Sequence, residues 1–329
     1  LYCIDPENEA VIFAELPEDE RPEDAPFYYA AQYDKANGSV RMPWATFHEI
    51  AHTIPEPEGG VIFVQSDGRC GSTLLSKAFA AVPDVLSLSE PDELTQMIGM
   101  RTADGSADHW LSHMIFSSVK WRCKARHGSP AKFVAIKTRS EVTRLADLMC
   151  AQFPQAKNLF IYRDGVSWAK SIYRTARVDA VFDDPERNRQ MQEGWGKMMP
   201  LVTEYAREDE PLNPIQIRTL CWVTNIEDYL NLVEGGVPFC AVRYEELVAS
   251  PVPILHQLFD YCGISNVDWA EIEVVLGRDS QEGSIYDREV LGARQRVLPE
   301  WLQQSAIDTI ATRPRIKTPG VILPGTIGV

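Results

Sequence analysis

Five short apolar runs after residue 59 alternate with longer stretches of helical pattern, and this alternation restricts the chain to few folds. The runs are VIFVQ (61–65), DVLSLSE (84–90), KFVAIKT (132–138), KNLFIYR (157–163) and PFCAVRYE (238–245). Apolar strands joined through helices form mostly parallel sheets with right-handed crossovers and helices on both faces. We therefore predict an α/β fold with a doubly wound, mostly parallel sheet flanked by helices. Ligands of such sheets bind at the carboxyl ends of the strands.

The first 58 residues differ in composition from the rest of the chain. Residues 1–60 carry 13 acidic and 3 basic side chains, which is most of the formal net charge of −15. We predict an acidic N-terminal extension over 1–58, containing short strands, a hairpin and a helix, followed by a single domain over 59–329. The negative charge makes nucleic acids and anionic membranes poor partners.

Local patterns suggest the structure of this extension. AVIFAEL (10–16) predicts a short strand, and WATFHEIAH (44–52) predicts a short helix. Residues 27–43 predict a hairpin, because Asn37 and Gly38 favour the left-handed conformations of a tight turn.

Cysteine usage and hydropathy bear on the compartment. The seven cysteines are scattered, none lies in a CxxC pair, and several lie in apolar runs. Buried free thiols in a reducing compartment are the simplest interpretation. Neither a signal peptide nor an apolar run long enough to cross a membrane is visible. We therefore expect a cytoplasmic protein, and the sequence leaves its oligomeric state open.

The stretch SDGRCGSTLLSKAFA (66–80) directly follows the first apolar run and looks like a phosphate loop. Nucleotide triphosphatases have GxxxxGK[ST] here, in which the lysine reaches the phosphates and the hydroxyl holds Mg²⁺. This chain has Ser72 in place of that lysine and Ser66 in place of the first glycine. The backbone amides and the helix N-terminus that remain bind an anion by themselves, and Arg69 adds a positive charge. Such a loop suits one phosphate in a mixed anhydride better than a triphosphate with magnesium.

The loop resembles that of the sulfotransferases that use 3′-phosphoadenosine 5′-phosphosulfate (PAPS) as co-substrate. The family's 5′-phosphosulfate loop has the form RxGST(L/T)L, and RCGSTLL (69–75) matches it. The resemblance implies that this loop holds the 5′-phosphosulfate. The implied binding residues are Arg69, Cys70, Gly71, Ser72, Thr73 and Leu74.

A second similarity concerns the 3′-phosphate of PAPS. The family has an arginine at a strand end and a serine eight residues later, and LFIYRDGVSWAKSIYR (159–174) provides Arg163 and Ser171. Arg174 is placed to join them. Eight residues make about two helical turns, so Ser171 lies on roughly the same face of the helix as the helix start near Arg163. Arginine gives paired contacts to a phosphate, and serine donates one hydrogen bond. The family usually has proline where this chain has Gly165.

A third similarity is RYEEL (243–247), which follows a strand and precedes a proline-containing helix. Sulfotransferases of the tyrosylprotein type carry a similar pattern. It implies that Tyr244 lines the adenine or the acceptor side of the site, although a half-buried core position is an alternative for this ring. The resemblance covers about residues 59–264, is faint over 265–329 and is absent over 1–58.

The resemblance also implies the residues that act on the transferred group. Sulfonate transfer requires in-line positioning, neutralisation of developing charge and removal of a proton from the acceptor. Lys137, at the end of an apolar strand, is implied to point at the bridging oxygen between phosphate and sulfonate. A lysine that merely reaches solvent from the strand end is the alternative. PAPS already carries a good leaving group, so no metal is expected.

At the position of the general base, this chain differs from the cytosolic small-molecule sulfotransferases. They have a histidine two residues after this lysine, where the chain has Arg139, and arginine stays protonated in proteins. The tyrosylprotein and trehalose types use a glutamate after the helix that follows the phosphate loop, which corresponds to Glu90. We predict that Glu90 is the base, although SEPDEL also resembles a helix start. His109 and His113, spaced i and i+4, are alternative bases, and no third metal ligand follows from their spacing.

Together these patterns predict an enzyme that moves a sulfonate from PAPS to a hydroxyl or amine. The transfer would be in-line, with a carboxylate base, to a small-molecule or peptide acceptor. Two other functions stay open: a magnesium-dependent nucleotide kinase or NTPase on the same fold, and a non-catalytic module that binds 3′-phosphoadenosine 5′-phosphate (PAP). The acidic chain favours a neutral or cationic acceptor, whose identity the sequence leaves open.

Overall fold

The computed structural model describes residues 1–124, 131–175, 184–206, 211–282, 284, 286–292 and 296–328. The strands are β1 Cys3–Asp5, β2 Ala10–Glu15, β3 Gly38–Pro43, β4 Gly60–Ser66, β5 Val85–Ser89, β6 Phe133–Lys137, β7 Lys157–Tyr162, β8 Cys240–Arg243 and β9 Thr326–Ile327. The helices are α1 Tyr28–Lys35, α2 Trp44–Thr53, α3 Ser72–Ala80, α4 Glu93–Ile98, α5 Asp108–Cys123, α6 Ala146–Gln152, α7 Gly165–Thr175, α8 Pro185–Met198, α9 Pro200–Tyr205, α10 Pro214–Glu234, α11 Tyr244–Ala249, α12 Pro251–Cys262, α13 Trp269–Gly277, α14 Arg288–Gly292 and α15 Glu300–Ala311. Short 3-10 turns lie at Pro6–Asn8, Pro22–Asp24 and Ser140–Leu145.

A parallel sheet of six strands forms the centre of the molecule. Its strand order is β5-β6-β4-β7-β8-β9, and neighbouring strands pair in parallel throughout. Val64 of β4 is in register with Lys137 of β6 on one side and with Leu159 of β7 on the other. The alternation of apolar runs and helices therefore predicted the fold class correctly.

Both faces of this sheet are covered by apolar side chains. Val61 and Phe63 of β4 belong to a buried cluster with α5 and α6, whereas Ile62 and Val64 belong to one with α3 and α12. Strands buried on both faces have continuous apolar sequences instead of alternating ones, as VIFVQ does. A third cluster joins β7 to α7, α10 and α15. The doubly wound arrangement is confirmed.

The strand order creates a crevice beside β4. The chain leaves β4 toward β5 on one side of the sheet, and it leaves β7 toward β8 on the other side. The strands β4 and β7 are adjacent, and the loops that follow them run in opposite directions, which leaves a crevice between the two loops. Open α/β sheets bind their ligands at such a switch point, outside the carboxyl ends of the strands. Both predicted phosphate motifs follow these two strands.

The N-terminal residues form a separate antiparallel sheet in the order β1-β2-β3. The strand and helix predicted at 10–16 and 44–52 are present as β2 and α2. The hairpin predicted over 27–43 is wrong. Most of its first half is helix α1, because Tyr28 and Gln32 lie one turn apart and both are buried. Gly38 starts β3, which pairs with β2, and neither Asn37 nor Gly38 has a positive φ.

Residues 1–58 pack closely on the larger sheet domain. The ring of Phe47 in α2 stacks on that of Trp121 in α5, with centroids 5.9 Å apart. The buried Arg122 forms an ion pair with Glu93 at 2.5 Å and donates to the carbonyl of Leu1 at 2.9 Å. The domain boundary after residue 58 stays a prediction. Within the part of the chain that the structure describes, no helix is long and apolar enough to cross a membrane.

Candidate active site

The loop between β4 and α3 has the shape of an anion-binding nest. Gly68, Arg69 and Gly71 all have positive φ values, of 75°, 56° and 85°. These conformations turn successive backbone N–H groups toward one concave side. Helix α3 starts at Ser72, and no side chain caps its N-terminus. The amides of the loop and the first helical turn are therefore oriented to bind an anion.

Gly71 is required by the geometry of this loop. Its φ of 85° is unfavourable for any residue with a Cβ, and that atom would lie 3.1 Å from the Tyr244 ring. We expect Gly71→Ala to lower the free energy of unfolding by about 1–2 kcal/mol, the usual cost of a left-handed conformation. Chemical denaturation measures this difference. Gly99→Ala is the matched control, because Gly99 has a φ of −67° and open space at its Cβ position. Equal losses in the two variants would contradict the prediction.

The two predicted phosphate motifs meet in the crevice. Arg163 directly follows β7, and its Nη1 donates to the carbonyl of Arg69 at 3.1 Å. The Nε of Arg69 donates to the Oγ of Ser171 on α7 at 3.5 Å. Ser171 is buried, and Arg174 lies exposed on the same helix. Residues about 90 positions apart in the sequence are thus brought into one site.

Three arginines, Arg69, Arg163 and Arg174, lie close enough in this crevice to repel one another. Among the residues that the structure describes, no carboxylate forms an ion pair with Arg69, Arg163 or Arg174. The guanidinium of Arg69 lies over the ring of Tyr286 at 4.4 Å, and that of Arg163 lies over Tyr244 at 4.3 Å. Burial and the nearby charges of Arg163 and Arg174 lower the pKa of Arg69. A cluster of this kind in an acidic protein is suited to a polyanionic ligand.

Gly165, where the family usually has proline, has a structural role in this chain. Its N–H donates to the carbonyl of Pro319 at 2.9 Å, and proline has no N–H to donate. A Cβ at this position would lie 2.6 Å from the side chain of Ile310. The departure from the family pattern therefore matches the packing of the C-terminal segment against the start of α7.

Lys137 and Glu90 form an ion pair at the carboxyl edge of the sheet. Lys137 ends β6, and only 3% of its surface is exposed. Glu90 follows the neighbouring strand β5, and its backbone N–H donates to the carbonyl of Lys137 at 2.7 Å. Glu90 has a φ of 59°, a left-handed conformation that is uncommon for a residue other than glycine. The two predicted catalytic residues are thus held together by backbone and side chain.

Arg139 occupies the position of the cytosolic enzymes' histidine and is engaged by acidic groups. Its Nη1 donates to Asp92 at 3.0 Å, and its Nε lies 3.8 Å from a carboxylate oxygen of Glu90. Its guanidinium also lies over the ring of Tyr29 at 4.8 Å. Glu90 therefore has a cation on either side, Lys137 and Arg139.

Sequence reasoning missed an aromatic cover over these charged residues. The ring of Phe27 lies 5.8 Å from the Nζ of Lys137 and 5.9 Å from the ring of Tyr286. Burial raises the pKa of Tyr29, and Glu90 is among the charges that raise it further. The cluster FYY at 27–29 in an otherwise acidic segment was the only sequence signal. The hairpin prediction places it in a strand, whereas Tyr28 and Tyr29 lie in helix α1.

The two alternative bases lie next to each other on α5. His109 and His113 are exposed on α5, with ring centroids 4.7 Å apart. His113 also contacts the ring of His48 in α2 at 6.3 Å. Within the described ranges, no hydrogen bond or ion pair joins either histidine to Lys137 or Glu90. The same described residues also contain no group of three or more His, Cys, Asp or Glu side chains that could hold a metal ion.

Comparison with known proteins agrees with the arrangement of these motifs. Residues 61–270 match the model of the sulfotransferase family. Similar solved structures include the sulfotransferase domain from the curacin biosynthetic pathway, with 17% identity, a TM-score of 0.43, and coverage of 77% of this chain and 97% of that one. Sulfotransferase STF1 from Mycobacterium tuberculosis H37Rv has 13% identity and a TM-score of 0.43, covering 80% of both chains.

Retinol dehydratase in a complex with retinol and PAP has 10% identity and a TM-score of 0.37, covering 87% of this chain and 89% of that one. No curated protein matches the sequence. The family match spans more than half of the chain and includes the loops after β4, β6, β7 and β8. The chain therefore belongs to the sulfotransferase family, and it is a PAPS-dependent sulfotransferase.

Proposed function

We propose that this enzyme transfers the sulfonate of PAPS to a hydroxyl or amine of a small-molecule or peptide acceptor, with Glu90 as the base. The observation that carries the proposal is the convergence of Arg69, Arg163 and Ser171, which come from two motifs, beside the Lys137–Glu90 pair. PAPS bears phosphates on both sides of its ribose, so it requires two anion sites of this kind.

The geometry of the crevice supports the following donor-binding roles. The loop of residues 69–74, with its backbone amides and the hydroxyls of Ser72 and Thr73, would hold the 5′-phosphosulfate. Arg163 and Ser171 would hold the 3′-phosphate, and the exposed Arg174 would add charge at its edge. Tyr244, half-buried and stacked on Arg163, would line the same side.

The transfer step needs one cation and one base at the reacting atoms. PAPS supplies the sulfonate and a good leaving group. Glu90 takes the proton of the acceptor as the new bond from acceptor oxygen or nitrogen to sulfur forms. The bond from sulfur to the bridging oxygen breaks, and the electron pair stays on that oxygen in PAP. Lys137 stabilises the charge that develops there, and the step requires no metal.

The acceptor side is covered by residues from both ends of the chain. Phe27 and Tyr29 from the proposed extension, residues 1–58, and Tyr286 from the C-terminal part lie over Lys137, Arg139 and Arg69. Aromatic rings next to a carboxylate favour an acceptor with an apolar body and a neutral or cationic character. A cytoplasmic location, within reach of PAPS and small metabolites, is part of the proposal.

The test is a titration of the protein with PAP, followed by a screen of acceptors with PAPS in the presence of a metal chelator. We expect PAP binding and PAP release that depends on an acceptor. Transfer of the γ-phosphate of ATP that requires Mg²⁺ would favour a kinase instead. Tight PAP binding without turnover on any phenol, alcohol, amine or peptide in the screen would favour a non-catalytic module.

Arg163 provides a sharper test of the donor site. We expect Arg163→Ala to weaken PAP binding on the order of 10- to 100-fold, the size of a lost charge-assisted contact to phosphate. Binding of adenosine 5′-phosphate, which lacks the 3′-phosphate, should change less than threefold. Isothermal titration calorimetry measures both.

Arg315→Ala is the matched control for this variant, because it removes one positive charge from an arginine that pairs with Glu234. We expect less than a twofold change in PAP affinity for this control. Equal weakening of both nucleotides by Arg163→Ala would contradict the assignment of Arg163 to the 3′-phosphate.

A further inference from the structure

A buried carboxyl group lies directly beneath the two anion sites. Asp67 follows β4 and begins the phosphate loop, and only 1% of its surface is exposed. An acidic side chain is unexpected in a crevice that otherwise gathers arginines. The proposed roles of the loop and of Arg163 leave Asp67 without a function.

Asp67 connects the loop to β7, α7 and α10. Its Oδ2 accepts from the backbone N–H of Arg163 at 2.8 Å and from the indole of Trp222 in α10 at 2.9 Å. Its backbone N–H donates to the carbonyl of Ile161 at 3.1 Å. Its carbonyl accepts from the indole of Trp168 in α7 at 3.0 Å. A single residue thus links the 5′ loop to the residue proposed for the 3′-phosphate.

The two indoles extend this connection. Trp222 also donates to the carbonyl of Arg163 at 3.1 Å, and Trp168 also donates to the carbonyl of Gly68 at 2.8 Å. Both tryptophans are among the largest fully buried side chains of the protein. The backbones of both phosphate loops are therefore positioned from below by rigid side chains that share Asp67 as a partner.

On this basis, and resting on the proposed function, we infer that Asp67 is a positioning residue that holds both phosphate sites and acts in its neutral form. The remaining carboxyl oxygen, Oδ1, is buried without a hydrogen-bond partner among the described residues. An ionised carboxylate would leave negative charge unsolvated there, beneath a ligand that is itself multiply negative. A neutral carboxyl keeps the Oδ2 contacts and removes that repulsion.

The surroundings of the carboxyl fit this inference. Among the described residues, the titratable and charged groups that act on it are Cys70 from its own loop and Arg163 from the loop after β7. Helices α7 and α10 contact Asp67 through the indoles of Trp168 and Trp222. Burial raises the pKa of Asp67 to about 8, although bonds to Arg163, Cys70 and Trp222 lower it. Burial raises the pKa of the Cys70 thiol well above its ordinary value, so Cys70 does not titrate in the same range.

If Asp67 must be neutral, the affinity for the donor should fall as the pH rises through the pKa of Asp67. Well below pH 8 most molecules already carry the proton, so the protonation of Asp67 has little effect on donor binding there. Above pH 8 the free protein loses the proton, and the negative donor binds only the fraction that keeps it. Affinity then falls as the competent fraction falls, by about tenfold between pH 7 and pH 9.

The experiment measures PAP affinity by calorimetry from pH 6.5 to pH 9 for the wild type, Asp67→Asn and Asp67→Ala. We expect about a tenfold loss from pH 7 to pH 9 in the wild type. Asp67→Asn keeps an acceptor oxygen for Arg163 and Trp222 and is uncharged. It should bind within threefold of the wild type at pH 7 and change less than twofold up to pH 9. Cys70→Ala should shift this loss of affinity to higher pH, because the interaction with Cys70 lowers the pKa of Asp67.

Asp67→Ala tests positioning itself. It should reduce the preference for PAP over adenosine 5′-phosphate at least tenfold, because the backbone N–H of Arg163 loses the bond to Asp67 that positions it. Asp67→Asn should restore that preference. Equal pH profiles for the wild type and Asp67→Asn, or an unchanged preference in Asp67→Ala, would overturn the inference. If Asp67→Ala does not fold, the profile of Asp67→Asn decides alone. Wild-type protein that does not bind PAP at any pH would instead overturn the proposed function.

Discussion

Replacing Glu90 with glutamine is expected to lower kcat by about 10²- to 10⁴-fold, the range for loss of a general base. The amide has the size of the carboxylate and can still bond to the acceptor, but it does not accept a proton. PAP affinity should stay within about threefold of the wild type, because the donor sites lie on other loops. Steady-state kinetics with a panel acceptor and PAP calorimetry measure the two quantities.

Asp92→Asn is the matched control for this variant. Asp92 lies two residues away and pairs with Arg139, so its loss changes the charge of the same region by the same amount. We expect it to lower kcat less than tenfold. If Glu90→Gln kept more than a tenth of the wild-type kcat, or if both variants lost the same activity, Glu90 would not be the base.

Lys137→Met is expected to lower kcat by about 10²- to 10³-fold. This is the usual effect of removing a group that stabilises developing charge on an oxygen. The side chain reaches the carboxyl edge from a buried strand end, so methionine fills the same space without the charge. The loss should appear mainly in kcat, because the charge on the bridging oxygen develops during transfer. Single-turnover measurements with saturating PAPS test this separation of binding from chemistry.

Lys132→Met is the control, because Lys132 directly precedes the same strand β6 at its opposite end. It should change kcat less than threefold. The double variant Lys137→Met/Glu90→Gln should lose about as much activity as the worse single variant, since residues that act as a unit are non-additive. Fully multiplicative losses would show that the two residues act separately, against the paired arrangement seen in the structure.

The fold and the positions of the two predicted phosphate motifs were predictable because they depend on local sequence. Strands buried on both faces have continuous apolar runs, and a strand followed by a glycine-containing turn and a helix places Arg69 and Arg163 at one edge of the sheet. The spacing of eight residues also placed Ser171 correctly within α7. Glu90 follows β5 and Lys137 ends β6. These adjacent strands end side by side, which explains why the two residues are in contact.

The features that the sequence did not predict depend on contacts between segments that are far apart in the chain. The hairpin prediction failed because Asn37 and Gly38 support a turn only if residues 27–33 pair with 40–43, and burial of Tyr28 and Gln32 favours a helix instead. The role of Asp67 depends on the indoles of Trp168 and Trp222, which lie about 100 and 155 residues further along. Local patterns carry no information about such partners.

The aromatic cover has a consequence for how this enzyme can diversify. Phe27, Tyr29 and Tyr286 all lie outside residues 61–270, the part that matches the family, whereas the phosphate loops lie inside it. Under the proposed function, substitutions in these flanking segments would change the choice of acceptor and leave the donor-binding loops as they are. Acceptor choice and sulfonate transfer would then be controlled by different parts of the chain.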